Sequence, residues 1–125
     1  MQTDGLTMLA PGKLAAIVTF LVRDLGLDGA EARLPIGYSL DRLGAADLGR
    51  YREIYHRVGA EWLWFSRLRM SEEALWSILA SPQVHALQLT GPMGPAGLLE
   101  LDFRDAEAPE LAFFGLVSEA VGEGL

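Results

Sequence analysis

Apolar positions along the chain follow two different periods, and the change between them organises the sequence. Leu48, Tyr51, Ile54, Tyr55 and Val58 recur at helical spacing, with Arg50, Arg52, Glu53, His56 and Arg57 on the opposite side. Gly59 stands where a left-handed residue would end that helix. An aromatic cluster follows, Trp62, Trp64 and Phe65, whose large rings are expected to anchor a core. Ser71 is placed to cap a second helix, with Glu72 and Glu73 in its first turn and Met70 and Leu75 at the positions of a hydrophobic staple. That helix buries Leu75, Ile78 and Leu79 and stops at Ser81-Pro82. From Val84 the period becomes that of a strand. Val84 to Thr90 reads as a strand, Gly91 to Pro95 as a turn, and Ala96 to Arg104 as a second strand. On the latter, Leu99, Leu101 and Phe103 share one face, and Glu100, Asp102 and Arg104 the other. Asp105 to Pro109 is a polar connection, and Leu111 to Val117 is a third strand. Nearer the start, Lys13 to Val22 is apolar and β-branched and is expected to be the first strand, while Tyr38 to Leu43 reads as a short extended piece. The expectation is a strand, two helices and a three-stranded antiparallel meander, an α+β fold without internal repeats.

Composition narrows the function classes. The 125 residues suit one domain, 1–125, with 1–12 as a lead-in closed by the Pro11-Gly12 turn, and Asp24 to Gly37 as a loop. A net charge of −7 argues against non-specific binding to nucleic acid or to an anionic membrane surface. The absence of cysteine removes disulfides, thiol nucleophiles and cysteine-ligated metals, and suits the cytoplasm. The run from Leu14 to Val22 is shorter than the roughly 20 apolar residues of a membrane span and lacks a cleavage site after it. No grouping of His and carboxylates has metal-ligand spacing, so no metal is expected.

Chemistry concentrates at the other end. The strand Leu111-Ala112-Phe113-Phe114-Gly115-Leu116-Val117 runs through Ser118-Glu119-Ala120 into Val121-Gly122-Glu123-Gly124-Leu125. Glycines after a buried strand let successive N–H groups converge on an anion. Together with the order of elements, these residues resemble the GNAT superfamily of acyl-CoA-dependent N-acetyltransferases. In that family a Q/R-x-x-G-x-G/A loop after the fourth strand holds the pyrophosphate of coenzyme A. On that pattern Val121 takes the Gln/Arg position, Gly122 and Glu123 the variable positions, and Gly124 the first required glycine. Leu125 is the next variable position. Val121 departs from the pattern by offering no side-chain donor, and Glu123 by placing a negative charge beside the phosphates. Ala96-Gly97-Leu98-Leu99-Glu100-Leu101 looks like the family's third strand. The segment from Tyr51 to Gly59, with Trp62-Leu63-Trp64 and Arg67-Leu68, is similar to one branch of these proteins. The chain corresponds to the N-terminal portion of such a domain.

The resemblance implies transfer of an acetyl group from acetyl-CoA, the co-substrate, to a small-molecule or peptide amine, with this portion inactive by itself. Gly115, Leu116 and Val117 would line the pantetheine arm and acyl group, and the Leu116 N–H would polarise the thioester carbonyl. Glu100, Asp102 and Glu110 are the candidate general bases, although acids on the open face of a sheet are more often simply solvated. His56, on a polar helix face, reads as surface, and His85 carries a suitable intrinsic pKa. An open, apolar sheet edge beside Leu111 to Val117 implies a homodimer through that edge. Two other readings compete: a non-catalytic interaction or regulatory module, and a small-ligand binder built on Trp62 and Trp64.

Overall fold

The computed structural model describes residues 5–26, 29 and 31–125. The chain divides into two units, Met1–Glu31 and Ala32–Leu125.

The described residues of the first unit contain neither helix nor strand. The turn at Pro11-Gly12 is present, closed by the Lys13 N–H donating to the Ala10 carbonyl at 3.1 Å. The first strand expected over residues 13–22 is not: Ile17, Phe20 and Val22 are 97%, 91% and 96% exposed. Branched apolar side chains favour a strand only when a neighbouring backbone is there to pair with, and none pairs here. The start of the lead-in, residues 1–4, and Leu27, Asp28 and Ala30 of the expected loop lie outside the described residues.

In the second unit the expected short extended piece is the first strand, β1, Ser39–Leu43. Next come helix α1, Leu48–Gly59, a four-residue helix α2, Ser66–Arg69, and α3, Glu72–Ala80. Strands β2, Val84–Gly91, β3, Gly94–Asp102, and β4, Glu110–Leu116, complete the order. The sheet is antiparallel throughout, in the order β1-β2-β3-β4, so β1 and β4 are its edges. The fold class is α+β, with three helices rather than two because the sequence around Arg67 makes one further turn.

The helices form for the reasons the sequence suggested. Tyr51, Ile54, Tyr55 and Val58 are the buried stripe of α1. Ser71 caps α3, its Oγ accepting from the Ala74 N–H at 3.2 Å, and Ser81 ends it in an extended conformation. Gly59 differs from expectation. Its φ is −89°, right-handed, and the left-handed residue is Leu63 at φ 58°. Glycine is needed at 59 for space: a Cβ there would lie 2.5–2.7 Å from the Trp64 side chain. That ring is half-buried against the core, 5.5 Å from Tyr55 and 5.1 Å from Phe113 between centroids. Trp62 and Phe65, by contrast, are 69% and 59% exposed, so the expected aromatic core contracts to Trp64 alone.

One face of the sheet packs on the helices. Ala86 and Gln88 of β2, and Ala96, Leu98 and Glu100 of β3, are buried on that face. The opposite face carries Leu40, Leu87, Leu99, Leu101, Leu111 and Phe114, of which Leu40, Leu111 and Phe114 are exposed. The alternation along β3 is the expected one, but the acidic side is the covered side.

Candidate functional site

Of the candidate bases, Glu100 is the one the fold encloses. It is 0% exposed, and its Oε2 accepts from the Tyr51 hydroxyl at 3.0 Å. The Arg67 guanidinium of α2 donates to both carboxylate oxygens at 3.4 Å, and its Nε to the Tyr51 oxygen at 3.3 Å. Arg67 also lies 5.2 Å above the ring of Phe113, the β4 residue that pairs with Glu100. Burial raises the Glu100 carboxyl above its usual range, while Arg67 and Tyr51 pull it partly back. Burial first, then the Glu100 charge, pushes the Tyr51 phenol far above its usual range. A solvated acid was the commoner expectation for this position. The structure corrects it, because an even-numbered residue of β3 faces the helices.

Asp102 is committed to Arg104. Its carboxylate accepts from the Arg104 backbone N–H at 2.9 Å, from Nε at 3.0 Å and from the terminal nitrogen at 2.6 Å. The Arg104 hydrogen bonds hold its carboxyl below the usual range, which makes it a poor proton acceptor. Glu110 is exposed and pairs across the ladder with Asp102, at the start of β4.

The far end of β4 holds the residues expected to meet an acyl group. Val117 is buried, and its N–H donates to the Ala96 carbonyl at 2.8 Å. Successive strand residues point their N–H groups to opposite sides. The Leu116 N–H therefore faces away from β3, towards the open edge of the sheet. Gly115 packs close under the helices, where a Cβ would lie 2.5 Å from Val58 Cγ1. After Val117 a short 3-10 turn, Ser118–Ala120, leads to the glycines. Gly122 and Gly124 have φ of 90° and 77°, and Val121 is exposed. The N–H groups of residues 122–125 make no backbone hydrogen bond among the described residues. Beside them lies a cleft of about 480 Å³ walled by Tyr38, Arg57, Pro92, Ala96, Glu119 and Glu123, among others. Arg57 is the one cation among its described lining residues, which also include the carboxylates of Glu119 and Glu123.

The fold thus brings Gly115, Leu116 and Val117 next to the turn of Val121, Gly122, Glu123, Gly124 and Leu125. It does not bring the candidate bases there. Glu110 is six strand residues from Leu116, about 20 Å. Glu100 is opposite Phe113, three residues away, or about 10 Å, and turned to the helices. Sequence reasoning missed Tyr51 and Arg67 as partners of Glu100, since separations of 49 and 33 residues leave no local signal. It also missed Arg57, whose only signal was its place in the last turn of α1. His56 is exposed, and His85 stands edge-on to Phe103 at 5.2 Å. No helix among the described residues is long and apolar enough to cross a membrane. Comparison with known proteins found no family model, no curated protein and no solved structure that matches the chain.

Proposed function

We propose that the chain is a GNAT-like acyl-CoA-dependent N-acyltransferase portion, acting on a small-molecule or peptide amine in the cytoplasm. The observation that carries the reading is the end of β4. An edge strand directs the Leu116 N–H outward and runs directly into a turn in which the N–H groups of residues 122–125 have no backbone partner among the described residues. An edge N–H can hold a thioester carbonyl, and consecutive free amides can hold a diphosphate. In the transfer, the amine nitrogen bonds to the carbonyl carbon and the C–S bond breaks. The amine gives up a proton, and the departing thiolate takes one. Glu100 is the candidate carboxylate nearest to that carbonyl position. Glu119 and Glu123 oppose the diphosphate and set its affinity low, with Arg57 as the counterweight.

A second reading, a non-catalytic interaction module, is favoured by one observation: Glu100 and Asp102 are both tied to arginines. Calorimetric titration of acetyl-CoA into this chain and into the full product of its reading frame separates the two. Saturable binding, strengthened by Glu123→Arg, supports the acyltransferase. No heat with either protein overturns it and leaves the interaction module.

A further inference from the structure

The sheet face turned away from the helices contains a second concavity, of about 430 Å³, within the roughly 300–1,000 Å³ typical of small-molecule sites. It runs across all four strands, from Leu40 on β1 past Leu89 on β2 and Leu99 on β3 to Phe114 and Leu116 on β4. Three interstrand spacings make it about 14 Å long. Its floor dips at Gly97, where backbone and side chains are so close that a Cβ would lie 2.8 Å from the Gly115 carbonyl oxygen and 2.9 Å from Leu116 Cδ2. Among the described residues, Arg33 is the only charged side chain that lines it.

The cavity also reaches Gly124 and Leu125 of the terminal turn. It is therefore continuous with both parts of the proposed donor site, the turn and the β4 edge at Leu116. We propose that this groove holds the hydrocarbon tail of the acyl donor, so that the substrate is a medium-chain acyl thioester rather than acetyl-CoA. The inference rests on the acyltransferase reading. With its carbonyl at the Leu116 N–H, a chain turned onto the open face lies over Gly97, between Leu89 and Leu99, and ends near Leu40. An acetyl group would leave nearly all of this apolar wall in water. The wall crosses the sheet, and Arg33 is its one charge among the described residues, which suits a saturated chain. A peptide would leave its own backbone polar groups unpaired there.

The test titrates acetyl-CoA, octanoyl-CoA and free octanoate into the full product of the reading frame. Each methylene removed from water tightens binding about fourfold, so octanoyl-CoA is expected to bind at least about a hundredfold more tightly than acetyl-CoA. Leu99→Trp fills the middle of the groove, and Leu40→Trp its exposed outer end, where folding depends least on the side chain. Thermal melts identify any variant that is unfolded. Loss of the octanoyl preference in a folded variant, with acetyl-CoA binding unchanged, supports the proposal. Equal binding of both thioesters to the unaltered protein overturns it while leaving the acyltransferase reading intact. Binding of octanoate without either thioester overturns the acyltransferase reading and with it the assignment of the tail to a thioester. No binding of any probe overturns both.

Discussion

The buried Glu100 carboxylate is held by two donors from different helices, and its energetics differ from those of a surface acid. Removing one partner of a buried ion pair leaves the other uncompensated, whereas replacing both with apolar groups is often neutral. Arg67→Met is therefore expected to lower stability by about 2 kcal/mol, since it leaves the Glu100 carboxylate buried without its countercharge, a value below the fully buried range because that carboxyl can take up a proton instead. The double variant Arg67→Met, Glu100→Leu is expected to recover most of that loss, and chemical denaturation of the single and double variants measures the difference. The pair also predicts a pH dependence of known sign. The folded-state pKa of Glu100 is raised, so stability associated with it is present below the unfolded value of about 4.3 and declines as pH rises through the folded value. Asp102 is shifted the other way, and its contribution is lost as pH falls below about 4. Denaturation midpoints should thus climb with pH on the acid side and then decline. The decline, but not the climb, should vanish in Glu100→Gln.

Among the elements, α1 and β4 carry the clearest consequences. Gly59 is the last residue of α1, and a Cβ there meets a Trp64 ring packed against both Tyr55 and Phe113. Alanine has the higher helix propensity by roughly 1 kcal/mol, yet overpacking costs about 1–3 kcal/mol. Gly59→Ala is expected to destabilise the protein, and a thermal melt decides the sign. The edge strand offers a sharper separation of fold from function. Proline is tolerated on an edge strand where its missing N–H would face outward. On the proposed reading, Leu116→Pro in the full product of the reading frame should therefore leave the circular dichroism spectrum and the binding of acetyl-CoA, which has no long tail, nearly unchanged. It should lower transfer by about 10²–10³-fold, the effect of losing one oxyanion donor. Unaltered transfer by the folded variant would remove Leu116 from the site.

These elements also show how far the sequence could be read. Apart from the single turn of α2, the helices and strands of the second unit whose partners lie close in the chain were legible. The stripe of α1 follows from helical period, the cap at Ser71 from a hydroxyl before two acids, and the meander from short turns between alternating runs. Lys13 to Val22 and Tyr38 to Leu43 were the reverse. The first has the stronger strand composition, and the second has a backbone partner, β2, waiting for it. Gly59 was expected to close α1 in a left-handed conformation and does not; it is required for space instead, and a clash with a ring five residues later leaves no trace in local pattern.

For the molecule as a whole, the two edges of the sheet are unequal. β1 is five residues long and carries Asp41 and Arg42, charges that discourage further pairing. β4 is seven residues long, with Glu110 at its start as its only charge and Phe114 63% exposed. We expect self-association through β4, placing two copies antiparallel about a two-fold axis. The outward Leu116 N–H would be used in that pairing, so on the proposed function an acyl donor and a second copy would compete for the same edge. Sedimentation should show a dimer that Phe114→Lys dissociates and that saturating acyl-CoA weakens. A monomer at all concentrations would refute the edge pairing.

What depends on neighbours a few residues away was already decided by the order of amino acids: the α+β class, α1 and α3 with the cap at Ser71, the hairpin and the strand that ends in glycines. Which stretch became the first strand, which face of β3 was covered, and whether Glu100 met water or Tyr51 and Arg67 were decided only when the sheet closed against the helices. Alternation states that two faces exist, and only packing says which one the helices cover.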